Sequence, residues 1–144
     1  GNRLTEGRMA GAIRFQGGGV GGPAGSGSFV KHHWNKDVPL MVRAMAKAGD
    51  VIFIAGPPDL IDEEETFQKL ADKDPYVKVQ LAQQDDAFNG KLGARLQAVS
   101  ATDGKTLFEY QLNALPIWDG MAAANGHLYL STSSGSVHCF SGGQ

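Results

Sequence analysis

Arg43, Trp118 and Asp119 are the residues of this chain whose types best suit holding a ligand. A guanidinium offers a planar fork of donors, and an indole offers a π face to a cation or a flat ring. With a carboxylate beside them, such groups can grip an anionic or planar small molecule. The same types also make a structural pair, Arg43 with Asp119, that closes two neighbouring strands, and we favour that use. No nucleophile elbow, metal-binding helix or paired-carboxylate site stands out elsewhere, so no catalytic residue and no metal ligand is assigned.

Other reactive types are better explained by structure. His32 and His33 are adjacent, and side chains at successive positions of an extended chain point to opposite sides, which makes them a poor metal pair. Neither His127 nor His138 has a spacing that completes a recognisable site. Asp62, Glu63, Glu64 and Glu65 could attract a hard cation, but they lack the alternating oxygen ligands and turn glycine of a calcium loop. Acidic residues opening a helix are the simpler account. The glycine-rich run 17–28 has no Gly-Lys-Ser/Thr and opens no helix, so a linker is preferred to a phosphate cradle. Trp34 is expected to pack across a sheet edge, and Cys139, the single cysteine, to sit in a strand as a small buried hydrophobe.

The elements that position these residues announce themselves through turns. Asp103-Gly104 and Asn125-Gly126 supply the positive-φ residues of tight hairpins, with Leu115-Pro116 and Ser134-Gly135 as further breaks. The runs between them predict antiparallel strands at 96–100, 106–112, 117–123, 128–132 and 137–140. A further hairpin, 40–47 and 51–55, turns at Ala48-Gly49-Asp50. Val51, Ile52, Phe53 and Ile54 are continuously apolar, as in a strand covered on both faces.

A shift of 77 positions carries Pro39 onto Pro116, Gly49 onto Gly126, and Val51, Ile52 and Phe53 onto Leu128, Tyr129 and Leu130. Repeated supersecondary units point to propellers or solenoids, because one unit cannot bury its own apolar face. Residues 57–93 are then an insertion in one copy. Its first helix opens at Asp62 and runs through Leu70. Its second has Asp74 as N-cap, Pro75 at the first position and Gly90 past the end, with Val77, Leu81 and Phe88 as an apolar stripe against the sheet.

Composition limits the partners. With 144 residues, 42% of them hydrophobic, the chain can build one core, and its net charge of −2 provides no basic surface for nucleic acid or anionic lipid. No window approaches the roughly 20 apolar residues of a membrane span, and no signal segment opens the sequence. The expectation is either a cytosolic protein or an interior or C-terminal piece whose export signal lies upstream.

Residues 98–108, Ala-Val-Ser-Ala-Thr-Asp-Gly-Lys-Thr-Leu-Phe, resemble the blade signature of pyrroloquinoline quinone (PQQ)-like β-propeller repeats, Ala-x-Asp-x-x-Thr-Gly-x-x-x-Trp. Ala98 and Gly104 match, whereas Ser100, Asp103 and Phe108 stand at the aspartate, threonine and tryptophan positions. Residues 39–45, 55–59 and 119–132 are similar to longer segments of the same bacterial, WD40-like repeat proteins. The resemblance covers about two-thirds of the chain.

It implies a mainly β fold of antiparallel four-stranded propeller blades, about two of them, forming an incomplete ring at 39–144 with a helical insertion near 57–93. Residues 1–38 would hold the linker and a strand at 10–16, the local candidate for completing the last blade. Arg43, Trp118 and Asp119 would lie on innermost strands lining the central channel. The implied function is noncatalytic protein interaction or ligand binding, in the periplasm, cell envelope or outside the cell. The partners would be the remaining blades, protein partners or a small ligand. The alternative is part of a quinone-dependent alcohol or sugar dehydrogenase, and only there would PQQ and calcium serve as cofactors. No set of residues for that chemistry falls on matched positions.

Overall fold

The computed structural model describes residues 33–142, so His32, the glycine-rich run and the strand expected at 10–16 lie outside the described residues. Among the described residues, two antiparallel sheets and two helices make up the fold. The first sheet holds β1 (Ala44–Ala48), β2 (Val51–Gly56), β3 (Ala94–Ser100) and β4 (Thr106–Leu112) in sequential order. Between β2 and β3 the chain forms α1 (Glu63–Ala71) and α2 (Val77–Phe88). The second sheet follows as β5 (Pro116–Ala124), β6 (His127–Thr132) and β7 (Val137–Ser141).

The two hairpins related by the 77-residue shift use different turns. Ala48 pairs with Val51, and of the two loop residues only Gly49 has a positive φ, +57°. Ala124 pairs with His127, and both Asn125 (+51°) and Gly126 (+74°) are left-handed. These are the II′ and I′ geometries, both of which match the right-handed twist of paired strands.

Pro39 and Pro116 lead into equivalent stretches. Pro116 opens β5 opposite Thr132, while Leu40 bridges Pro58 ahead of β1. The amides of Met41 and Arg43 donate to the carbonyls of Pro57 and Ala55, both at 2.9 Å. The chain thus follows β2 from residue 40, as expected, but the regular ladder begins only at Ala44. The register slips by one residue in between, since Leu40 faces Pro58 while Ala44 faces Ala55. Proline has no amide hydrogen to extend the ladder past Gly56. A Cβ on Gly56 would come 1.9 Å from the Met41 carbonyl oxygen, so only glycine lets the strands approach this closely. β5 is interrupted at the matching place, between Pro116 and Met121.

Alternation along the strands builds the core. Ala44, Ala55, Ala94, Leu96 and Leu112 of the first sheet meet Leu128 and Leu130 of the second, with Leu115 from the connection between the sheets. Alanine on the first sheet leaves room for leucine on the second, and burying each leucine is worth about 1.5–3 kcal/mol. On the opposite face of β2 and β3, Ile54 and Val99 are buried under Leu40, with Val38 and Ile52 packed alongside. β2 is therefore covered on both faces, as its unbroken apolar run implies.

The insertion departs from expectation in one helix. α1 begins as read, with the Asp62 carboxylate accepting from the Glu65 amide at 2.9 Å. α2 starts two residues later than the Asp74-Pro75 pair suggests, because Asp74 accepts from the Tyr76 amide and spends its carboxylate on a turn before the helix. Its buried positions are Val77 and Ala87, with Gln80, Gln84 and Asp86 half-buried, whereas Leu81 and Phe88 of the expected stripe are exposed. Gln84 takes the place of an apolar contact: its Oε1 accepts from the Leu60 amide and its Nε2 donates to the Pro58 carbonyl. The helix ends at Gly90, φ +86°, where the amides of Gly90 and Lys91 close onto the carbonyls of Ala87 and Asp86. That is a Schellman closure, which needs the left-handed residue glycine supplies.

Candidate functional site

β1 and β5, the first strands of the two sheets, run beside each other, and the Asp119 amide donates to the Arg43 carbonyl at 3.0 Å. That bond requires a kink. Asp119 has φ +55°, an uncommon conformation for a residue with a side chain, and it stands in the interrupted stretch of β5. Gly120 makes the kink possible, because a Cβ there would sit 3.0 Å from the Ile117 carbonyl oxygen and 3.3 Å from Ser131 Cβ. Bulges of this kind re-aim neighbouring side chains.

Around the seam, Arg43 and Trp118 come together. The Arg43 guanidinium carbon lies 5.2 Å from the Trp118 ring centre and 4.8 Å from that of Phe88, at the end of α2. Its Nη2 donates to the Phe88 carbonyl at 2.7 Å, where the helix dipole favours a cation. Two aromatic contacts and a charge-assisted hydrogen bond fix the guanidinium, while Nε is buried without a hydrogen-bond partner among the described residues. The Trp118 side remains open, with the residue 61% exposed. Asp119 joins this cluster through its backbone. Among the described residues no ion pair links Arg43 with Asp119, so the favoured structural pairing of the two is made by main chain instead of by charge. The helical spacing of Val77, Leu81 and Phe88 reads as a stripe on the edge or face of the sheet, which hides the contact of Phe88 with Arg43.

The turn between β3 and β4 forms a second ordered cluster. Trp34 donates from Nε1 to the Ala101 carbonyl at 2.8 Å, and a Cβ on Gly104 would lie 3.1 Å from the indole ring. Lys36 reaches the Gly104 carbonyl at 2.8 Å and Thr106 Oγ1 at 3.0 Å. Trp34 thus packs on the turn between β3 and β4, where packing across a sheet edge was expected, and its polar edge is spent on the backbone. Ser100 Oγ accepts from the amides of Thr102 and Asp103. The Asp103 carboxyl is held below its ordinary value of 3.8, chiefly by a hydrogen bond from Ser100 and next by the Lys105 amide. All of these groups serve the turn.

Between the sheets, beside the two related hairpins, is a cleft of about 590 Å³ lined by Phe53, Leu96, Phe108, Leu128 and Phe140. The lining is mostly apolar, with Asn125, His127 and Ser141 as its polar members, so the cleft offers chiefly burial. Cys139 lies in β7 but is exposed, contrary to the buried position expected of it. Alternation along β7 accounts for this, since Phe140 takes the core-facing position. Among the described residues no three or more metal-ligating side chains gather, and no helix is long and apolar enough to cross a membrane.

Compared with protein-family models, curated proteins and solved structures, the chain matches none.

Proposed function

We propose that the chain forms about two blades of a PQQ-like β-propeller that acts without catalysis, in protein interaction or ligand binding. The observation that carries this is the Asp119–Arg43 backbone bond at 3.0 Å, which sets the first strands of two meander sheets side by side. Neighbouring innermost strands are what radial repetition of four-stranded sheets requires. The remaining blades of the ring would be its first partners, since the seven strands among the described residues are fewer than the four or more blades of a closed propeller need.

Several features support the absence of catalysis. Arg43 is held by Phe88 and Trp118, Asp62 caps a helix, and Asp103 holds a turn, so the conspicuous charges have structural uses. The open face of Trp118 beside Arg43 suits a planar or anionic ligand at the channel wall. As in its relatives by resemblance, the protein would work in the periplasm or cell envelope.

The test is reconstitution of the full-length protein with PQQ and calcium, followed by the quinone absorbance and dye-linked alcohol or sugar oxidation. A chain that gains neither fits the noncatalytic function. Turnover would place it in a quinone-dependent dehydrogenase instead.

A further inference from the structure

The chain contains two Asn-Gly pairs, Asn89-Gly90 and Asn125-Gly126, and the fold treats them differently. In such a pair the glycine amide can attack the neighbouring carboxamide with no Cβ in its way. At the end of α2 both reacting groups are tied down. Asn89 Nδ2 donates to the Asp85 carbonyl at 2.8 Å, and the Gly90 amide donates to the Ala87 carbonyl at 3.0 Å. In the turn between β5 and β6 neither group is held. Among the described residues no hydrogen bond engages the Asn125 side chain or the Gly126 amide, Asn125 is exposed, and a Cβ on Gly126 would meet nothing within 4 Å.

Turn geometry shows how attack can begin. Asn125 (φ +51°) and Gly126 (φ +74°) make a I′ turn. Flipping the single peptide between them gives a II′ turn, in which the first residue has ψ of about −120°. That ψ eclipses the Gly126 nitrogen with Asn125 Cβ and brings it within reach of Cγ. Both turns suit the same hairpin, and the related turn at Gly49-Asp50 already has the II′ form, so the pairing of Ala124 with His127 survives the flip. One contact opposes it. His127 Nδ1 donates at 2.9 Å to the Asn125 carbonyl, the oxygen that has to turn over. Because a carbonyl only accepts, this ring nitrogen carries the proton.

We propose that Asn125 is a site of spontaneous deamidation and that His127 is the latch that sets its rate. The Gly126 amide gives its proton to water and its nitrogen bonds to Asn125 Cγ. The Cγ–Nδ2 bond breaks, and Nδ2 leaves as ammonia with a proton taken from water. A second water opens the five-membered imide at either carbonyl. Opening at Cγ leaves aspartate, whereas opening at the main-chain carbonyl leaves isoaspartate, whose backbone runs through Cβ and Cγ. No oxidant, reductant or enzyme takes part. Isoaspartate lengthens a two-residue turn by one carbon and sets a carboxylate beside the apolar cleft that Asn125 and His127 help to line, so the altered chain holds β5 to β6 less firmly.

The test incubates the whole chain at neutral pH and follows both sites by peptide mass and by labelling with an isoaspartyl methyltransferase. In the folded chain Asn125 should deamidate about fivefold or more faster than Asn89, since more hydrogen bonds must open at Asn89. In urea the two sites should approach parity, because the fold alone distinguishes them. His127→Phe should speed the reaction at Asn125 about two- to tenfold and leave Asn89 unchanged. Asn89 reacting as fast as Asn125 in the folded chain would overturn the site, as would no product at Asn125 over a time in which the urea-unfolded chain forms it. An unchanged rate at Asn125 in His127→Phe would overturn the latch. Equal acceleration of both sites would overturn it too, since that marks general loosening of the variant, and the two-site comparison in the unaltered chain then decides the site by itself.

Discussion

The carbonyl of Arg43 accepts the amide of Asp119 across 3.0 Å, joining the residue that leads into the first strand of one sheet to the first strand of the other. Around this bond the side chains divide their work. Arg43 turns to Phe88 and Trp118, and Asp119 contributes main chain at a φ of +55°.

A double-mutant cycle separates these roles. Coupling between Arg43 and Trp118 should be about 0.5–1 kcal/mol, whereas coupling between Arg43 and Asp119 side chains should fall below about 0.5 kcal/mol. Asp119→Gly should be neutral or stabilising in urea unfolding, because it relieves a left-handed residue at no loss of a side-chain bond.

Glycine substitutions should rank by what a Cβ would meet. Gly49→Ala has nothing within 4 Å and bears only the strain of its φ, costing about 1–2 kcal/mol. Gly56→Ala would drive into the Met41 carbonyl and should cost more than about 3 kcal/mol, or prevent folding. Denaturant midpoints of the two variants check the order.

Trp34→Ala should destabilise the protein by about 2–4 kcal/mol, through lost packing on Gly104 and an unpaired Ala101 carbonyl. Trp34→Phe keeps most of the ring contact and loses the hydrogen bond, so its cost should be smaller, about 1 kcal/mol. Equal losses in the two variants would show that the indole nitrogen carries the contact.

Asp103 gives a pH signature. Its folded-state carboxyl titrates below the ordinary 3.8, so its stabilising contribution is complete above that value and disappears as the pH falls through the folded value. Asp103→Asn should therefore be less stable than the parent near neutrality, with the gap closing below about pH 3.8. Thermal midpoints from pH 7 to pH 2.5 measure it.

Most of the strands were legible because each turn has chemical punctuation. Asp103-Gly104 and Asn125-Gly126 locate hairpins wherever the sheets end up, and the apolar run in β2 reports coverage on both faces. The insertion helices were legible as helices for the same reason, through Asp62 and Gly90. What escaped depends on partners distant in the chain. Gln84 occupies a packed position of α2 because Leu60 and Pro58 offer it hydrogen bonds, which helical spacing cannot reveal. Phe88 joins Arg43 because a Schellman closure sends α2 to its end there. Cys139 is exposed although its strand is apolar, since parity along β7 gives the core to Phe140. Of the candidate site, Arg43, Trp118 and Asp119 could be named from residue type, but the kink at Asp119 that brings the seam together depends on a main-chain contact distant in the chain.

The two tryptophans offer the most direct test that the sheets are joined units of one body, since Trp34 packs on the first sheet and Trp118 lies on the second. Trp118→Phe leaves Trp34 as sole emitter, and Trp34→Phe leaves Trp118. In each variant, urea unfolding followed by tryptophan fluorescence should overlay the loss of far-ultraviolet circular dichroism, because the Arg43–Asp119 seam and the shared leucine core make the sheets unfold together. A Trp118 transition that precedes the circular dichroism change, with Trp34 following later, would contradict the account.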